Sequence, residues 1–476
     1  MIDFKKEIDK KVFHTVGEAA NALGRECYAV GGCVRDMVLG RQSKDIDFVT
    51  VGSGIELAEA VAARLGRGAH LSVFRTYGTA QVKKHNLELE FVGARRESYN
   101  RDSRNPVVEE GSLTDDLSRR DFTINALALQ VNSGENFGRL IDMFDGMGDI
   151  ERRVIRTPLD PDITFSDDPL RMMRAIRFAT QLGFKIHPET FEALTRNASR
   201  IEIITRERIA TELMKIMASP RPSIGWNLLY KSGLLKLILP ELAAMKGVEV
   251  VNGRAHKDNF YHTLEVLDKL SRMTDNVWLR WAALLHDIAK PVTKKWDDNA
   301  GWTFHNHNFV GSKMVPKIFR NLKLPLDNKM KYVAKLVELH MRPIALVEDE
   351  VTDSAVRRLI SDAGEDLEDL LLLCEADVTS KNEEKVRRIM ANLELVKHKI
   401  VEVNERDNIR NFNPPVDGLE IMRTFGIDGG PLVGSIKQRI KDAILDGEIH
   451  NDYAEAREMM LRLGAEHGLT PVNTEE

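Results

Sequence analysis

The chain has 476 residues, 43 % of them hydrophobic and 30 % charged, which is too long for a single core and ordinary for a protein built of several globular parts. Its net charge of −5 excludes a polycation that holds nucleic acid by bulk charge and leaves only a local basic face for that purpose. Three cysteines, Cys27, Cys33 and Cys374, have neither disulfide nor metal spacing and read as small core residues of a protein in a reducing, cytoplasmic setting.

Residues 1–24 are charged and helix-periodic, without the continuous apolar core of a signal peptide, and no stretch approaches the length of a membrane span. From Tyr28 to about Met147, short apolar runs (YAV, DIDFVTV, TAQVKK, LELEFVG, DFTINALALQV) alternate with helical stretches, as expected of a small mixed sheet with helices. In the first of these, Gly31-Gly32 follows a strand and precedes a helix, a place where backbone N–H groups cradle phosphate. The second opens on Asp45-Ile46-Asp47. On a strand that spacing puts both carboxylates on one face, where two oxygens clamp a Mg²⁺ ion. The alternation of Leu87 to Val92 likewise puts Glu88 and Glu90 on one face, although a solvated strand face accounts for them equally well.

Arg119-Arg120-Asp121 and Asn125 follow. The arginines offer fixed bidentate donors for phosphate oxygens, and Asp121 and Asn125 suit ribose hydroxyls; a structural ion pair of Asp121 with a neighbouring arginine is the alternative. Leu140 to Ile150 contains a glycine turn with the character of a hinge. Beyond about Asp149 the pattern becomes almost wholly helical, with periodic runs from Asp168 to Leu182 and from Glu207 to Met217. In the first, Asp168 and Arg171 stand three apart, which predicts neighbours on one helical face, and Arg174 and Arg177 continue the series. In the second, Thr205 reads as an N-cap, with Arg208 opposite Glu212. Later, His262, the doublet His286-Asp287 in an apolar helix, and Asp377 form an H…HD…D order suited to a divalent metal; His305, His307 and His340 add imidazoles between them. Asn413-Pro414-Pro415 opens a last segment. In it a glycine turn leads into a helix bearing Lys437, Arg439 and Lys441, a grip for an RNA backbone or an ordinary helix connection.

The order GG-x-x-R-D, D-x-D, RRDFTxNA and D-x-x-R-x-x-R-x-x-RF resembles the class II tRNA nucleotidyltransferases and poly(A) polymerases, whose head is of the polymerase-beta type. The later block is similar to HD phosphohydrolases. The resemblance implies that Asp45 and Asp47 hold metal with Glu90 as third acid, that Gly31, Gly32, Arg35 and Asp36 shape the phosphate turn, and that Arg119, Arg120, Asp121, Asn125 and Arg174 surround the nucleotide. It implies that Asp168 and Arg171 read the base. A carboxylate accepting from an exocyclic amine beside an arginine donating to a ring nitrogen suits CTP and ATP and leaves the groups of UTP and GTP unpaired, at about 1–3 kcal/mol per group.

The expected fold is α+β: a mixed-sheet head over residues 1–148, a helical neck and body over 149–250, an HD domain over 251–385 and a helical tail over 386–476. The expected activity is addition of CCA to tRNA 3′ ends from CTP and ATP, with Mg²⁺ at the transfer site and a divalent metal at the HD site. Poly(A) synthesis, addition of only CC or only A, and a phosphohydrolase with a nucleotide-binding head are the alternatives.

Overall fold

The computed structural model describes residues 2–43, 45–98, 107–348, 352–380, 382–407 and 414–472. Asn413 lies outside them. The chain divides into two compact units, residues 1–243 and 244–476.

A seven-stranded sheet organises the first unit. Its strands are β1 (Cys27–Val30), β2 (Asp45–Thr50), β3 (His70–Phe74), β4 (Thr79–Lys84), β5 (Leu87–Gly93), β6 (Leu127–Gln130) and β7 (Leu140–Asp142), in the spatial order β3-β4-β5-β2-β1-β6-β7. Strands β2 and β5 are parallel; the other pairs are antiparallel. Period-two alternation decides what each face carries. Ile46 and Phe48 of β2 turn inward, and Phe48 stacks on Phe91 of β5 with centroids 5.3 Å apart, while Asp45 and Asp47 point to the other face. The parallel pair needs a crossover, which includes the helix Gly54–Leu65 packed against β3, β4 and β5.

Two expectations for this unit change. The run DFTINALALQV is not one strand, because Asp121 Oδ1 accepts from Phe122 N at 2.9 Å and from Asn125 Nδ2 at 3.0 Å, and these local bonds hold Thr123–Asn125 in a 3₁₀ turn before β6 begins. The helix expected from Asp168 starts at Leu170 instead. Asp168 has an extended backbone (φ −133°, ψ 93°) because it precedes Pro169, whose ring disfavours the helical conformation at the residue before it.

The second unit is mainly helical, with short hairpins at Val250–Ala255 and Lys295–Thr303. Its C-terminal helices Gly418–Phe425, Pro431–Asp446 and Tyr453–Glu466 close a small core around Ile421, Phe425, Ile436, Ile440 and Met460. Among the described residues no helix is long and apolar enough to cross a membrane.

Candidate active site and metal centre

The pairing of β2 with β5 builds the first site. Asp45 stands beside Glu88 and Asp47 beside Glu90 in register, so the strand alternation read from each segment merges into one acidic face. Glu88 is engaged by Gln81 and, at 3.0 Å, by Lys83 on the neighbouring β4, whereas Glu90 remains with the aspartates. Burial raises the pKa of Asp47, an effect opposed by the Arg120 charge and reinforced by Asp45. Glu90 is raised by burial and then by Asp47 and Glu88. Crowded anionic oxygens that resist ionisation form a donor set for a hard divalent cation.

Gly31 faces this acidic edge. Its backbone lies at φ 74° and ψ −134°, and a Cβ there would sit 3.0 Å from Arg120 Nη1 and 3.7 Å from Asp47 Oδ2, so only glycine lets the turn pass between them. Gly32 opens the helix α1 (Gly32–Val38). Asp36 accepts from Arg35 Nε at 2.9 Å and Nη2 at 2.8 Å, and the aimed guanidinium donates from Nη1 to Asn125 Oδ1 at 2.8 Å. Asp121 in turn accepts from Arg174 Nε at 2.7 Å. A chain of hydrogen bonds thus joins the glycine turn to α2 (Leu170–Leu182), and Phe178 of that helix lies under the guanidiniums of Arg35, Arg174 and Arg177 at 5.0, 5.5 and 3.9 Å.

Arg119 and Arg120 are held by a residue that sequence reasoning missed. Asp116 is fully buried and grips Arg119 Nη2 at 2.6 Å through Oδ1 and Arg120 Nη2 at 3.1 Å through Oδ2. Its positions three and four before the arginines were the available signal.

Two further expectations are corrected. Asp168 and Arg171 form no helical-face pair: Asp168 accepts from Leu170 N at 3.1 Å, and Arg171 Nη2 donates to Arg119 O at 2.6 Å, because the helix begins after Asp168. Glu212 faces Arg177 at 2.5 Å instead of Arg208, and Thr205 is the N-cap without a side-chain capping bond. On the helix Pro431–Asp446, which carries Lys437, Arg439 and Lys441, Arg439 is engaged by Glu448 at 2.9 Å.

In the second unit, α3 (Asn259–Ser271) carries His262, α4 (Val277–Leu285) ends directly before His286-Asp287, and α5 (Leu367–Asp377) ends on Asp377. The doublet therefore caps an apolar helix and does not lie within it. His262 Nε2 is 2.9 Å from Asp377 Oδ1, and His286 Nε2 is 3.3 Å from Asp287 Oδ2. On the other side of the same carboxylate, Asp287 Oδ1 lies 3.3 Å from His307 Nε2 and 3.9 Å from that of His340. His262, His286 and Asp287 bring their ligating atoms within 4.8 Å of one another, as do Asp287, His307 and His340. His305 is exposed and outside both groups.

The ring nitrogens facing away from the cluster are bonded too. Nδ1 of His286, His307 and His340 meets the carbonyls of Ala283, Phe304 and Val337 at 2.7, 2.8 and 2.7 Å, which turns each Nε2 lone pair inward. His286 Nε2 is buried, makes no hydrogen bond of good geometry and faces the carboxylates of Asp287 and Asp377 at 3.3 and 3.5 Å, as expected of a nitrogen placed for a metal they share. Burial lowers the His286 pKa, but the carboxylates of Asp287 and Asp377 outweigh it and push the ring up to about 10. His340 is brought down to about 4 by burial and the His286 charge. Mixed imidazole and carboxylate donors suit a first-row transition ion.

Acidic strands facing a glycine turn, arginines for phosphate and a separate histidine–aspartate centre define a metal-dependent nucleotidyltransferase with an HD domain. Residues 27–156 match the poly(A) polymerase head domain, 183–246 the probable RNA and SrmB-binding site of polymerase A, and 259–382 the HD domain. The A-adding tRNA nucleotidyltransferase of Deinococcus radiodurans is 34 % identical over 451 residues, covering 92 % of this chain and 95 % of the relative. A CCA-adding enzyme of a Geobacillus species is 30 % identical over 441 residues, with 92 % and 93 % covered. A solved tRNA nucleotidyltransferase in complex with a primer tRNA and an incoming ATP analogue superposes with a TM-score of 0.56 at 27 % identity, covering 80 % of this chain and 98 % of that one. The chain belongs to the family of tRNA nucleotidyltransferases and poly(A) polymerases.

Proposed function

We propose that the protein adds C, C and A to tRNA 3′ ends from CTP and ATP. The observation that carries the reading is the parallel register of Asp47 with Glu90, which joins three carboxylates into one acidic edge opposite the Gly31 turn. Asp45, Asp47 and Glu90 would hold Mg²⁺, which neutralises triphosphate charge and favours ionisation of the attacking hydroxyl. The RNA 3′-oxygen bonds to the α-phosphorus, the α–β phosphoanhydride bond breaks, and pyrophosphate leaves. Gly31 and Gly32 offer backbone N–H groups to the triphosphate, while Arg35, Arg119 and Arg120 supply cationic donors around it. Asp121 and Asn125 set the direction of Arg35 and Arg174.

Asp168 and Arg171 serve as the base-reading pair, with Arg171 steadied by the Arg119 carbonyl and Asp168 steadied by Leu170 N. Lys437, Arg439 and Lys441 contribute to the grip on tRNA. The HD centre, holding a divalent metal at His262, His286, Asp287 and Asp377, acts as a phosphohydrolase. The working division is head 1–148, neck and body 149–250, HD domain 251–385 and tail 386–476, in a cytoplasmic enzyme.

Addition of A alone is the second reading, favoured by the name of the Deinococcus radiodurans relative. Incorporation assays on tRNA transcripts lacking the last three, two or one nucleotides, with each nucleoside triphosphate supplied singly, separate the readings. Extension of all three by C or A in order supports the proposal. Extension of only the transcript ending in CC supports A addition, and no extension of any transcript rejects both.

A further inference from the structure

Away from the HD centre, the second unit contains a cavity of about 490 Å³ whose walls include Asn276, Trp278, Lys329, Lys331, Tyr332 and Lys335. Part of its lining is already hydrogen-bonded. Tyr332 donates to Asp369 Oδ2 at 2.6 Å and accepts from Asn276 Nδ2 at 3.1 Å, and Lys335 donates to Asp366 at 2.8 Å and to the Ala363 carbonyl at 2.5 Å. The Trp278 ring is backed by Phe319, with centroids 6.1 Å apart.

Two other lysines of the lining differ from the bonded Lys335. Lys329 lies over the Trp278 ring at 5.3 Å, and neither it nor Lys331 is in an ion pair among the described residues. Both are exposed. They belong to a run, Lys313 to Lys335, with seven lysines and arginines against the single acid Asp327 in a chain whose net charge is −5. On the preceding helix, His307–Leu322, Lys313, Lys317 and Arg320 recur at intervals of four and three and therefore share one face, away from the buried Val315, Ile318 and Phe319. Clustering of cations against the overall charge is the electrostatic footprint of a phosphate-bearing ligand.

An aromatic plane and two uncompensated ammonium groups in one cavity match the base and the phosphate of a nucleotide. We propose that this cavity binds a nucleotide unit, with its base stacked on Trp278 and its phosphate between Lys329 and Lys331. On binding, the Lys329 ammonium exchanges the indole face for the phosphate and leaves that face to the base. A free nucleotide and an unpaired nucleotide of RNA share this chemistry.

The test titrates the full chain with ATP and, separately, with a tRNA transcript lacking its terminal CCA, at several salt concentrations. The variants are Lys329→Gln/Lys331→Gln and Trp278→Leu, with folding checked by thermal melting. If RNA is the ligand, the lysine variant binds tRNA roughly tenfold more weakly, its slope of log affinity against log salt falls by about 1 per lysine, and Trp278→Leu weakens the same probe by a similar factor. If free nucleotide is the ligand, a second ATP equivalent is lost in both variants while tRNA binding holds. In both cases the KM for ATP in nucleotide addition is unchanged, which separates this site from the transfer site. Wild-type binding of both probes by the doubly substituted lysine variant overturns the proposal; these exposed positions are replaceable without loss of the fold, so the result stands even where Trp278→Leu unfolds.

Discussion

Arg174 donates to Asp121 across 53 residues of sequence, from Nε to Oδ2 at 2.7 Å, and so fastens the helix Leu170–Leu182 to the turn that precedes β6. Burial alone would raise the Asp121 carboxyl, but the Arg174 charge and the Asn125 hydrogen bond outweigh it and hold its pKa at about 2. A folded-state pKa below the ordinary carboxylate value contributes stability that is present above about pH 4 and is lost as pH falls toward 2. Asp121→Asn should cost about 1–3 kcal/mol at pH 7, through the weakened partner of Arg174. Denaturant midpoints between pH 5 and 2 should fall more steeply for the wild type than for the variant. Parallel curves would show that this carboxylate does not govern the acid limb.

Gly31 should tolerate no side chain. Alanine at φ 74° and ψ −134° costs about 1–3 kcal/mol of backbone strain, and its methyl would meet Arg120 Nη1 at 3.0 Å. Because Arg120 is already held by Asp116, its guanidinium has to leave one contact or the other. Gly31→Ala should reduce kcat/KM for nucleotide addition by roughly 10²-fold, the scale on which small displacements in a catalytic site act. Steady-state kinetics at saturating tRNA measure it, and an unchanged value would remove Arg120 from the triphosphate site.

Glu212 and Arg177 form a buried pair at 2.5 Å between the helices Leu170–Leu182 and Arg206–Met217. Removal of one partner strands a buried charge, so Glu212→Ala should destabilise the protein by about 3–5 kcal/mol, while the apolar double replacement Glu212→Leu/Arg177→Met should recover most of that loss. Equilibrium denaturation of the two variants decides it. If the double replacement is no more stable than the single one, the pair has a role beyond charge compensation, such as holding Phe178 under Arg35.

The sequence disclosed the parts of the transfer site that depend on local period. Asp45 and Asp47 had to share a face once β2 was a strand, and the same rule placed Glu88 with Glu90. That β2 and β5 lie side by side, so that Asp47 meets Glu90, is a non-local pairing that alternation does not contain. Asp168 was misplaced by one local rule overriding another: helical periodicity extends back to it, but the following proline holds it extended and the helix starts only at Leu170. Asp116 escaped because a buried carboxylate on a short helix has no distinctive spacing except to the arginines it holds. Strands β3 and β7 escaped for the opposite reason, since His70–Phe74 is an exposed edge strand with little apolar alternation and Leu140–Asp142 has only three residues. In the HD block the order of ligands was legible, whereas the use of both Asp287 oxygens, one toward His286 and the other toward His307, emerges only from packing.

The two metal centres should be separable by single substitutions. The transfer site offers only carboxylate oxygens and the HD site imidazoles with carboxylates, donor sets that suit different ions. Asp45→Asn should reduce nucleotide addition by roughly 10³-fold, as expected when several kcal/mol of metal-assisted stabilisation are lost, and should leave phosphoester hydrolysis intact. His286→Ala should do the reverse, and it should lower the transition-metal content of the purified protein, because the Ala283 carbonyl aims the ring so that Nε2 faces the Asp287 and Asp377 carboxylates. The measurements are single-nucleotide extension of a tRNA transcript, hydrolysis of a phosphodiester with Mn²⁺ or Ni²⁺ supplied, and elemental analysis of each variant. Loss of extension in the His286 variant at unchanged thermal stability would mean that the histidine centre serves transfer and that two independent sites is the wrong description.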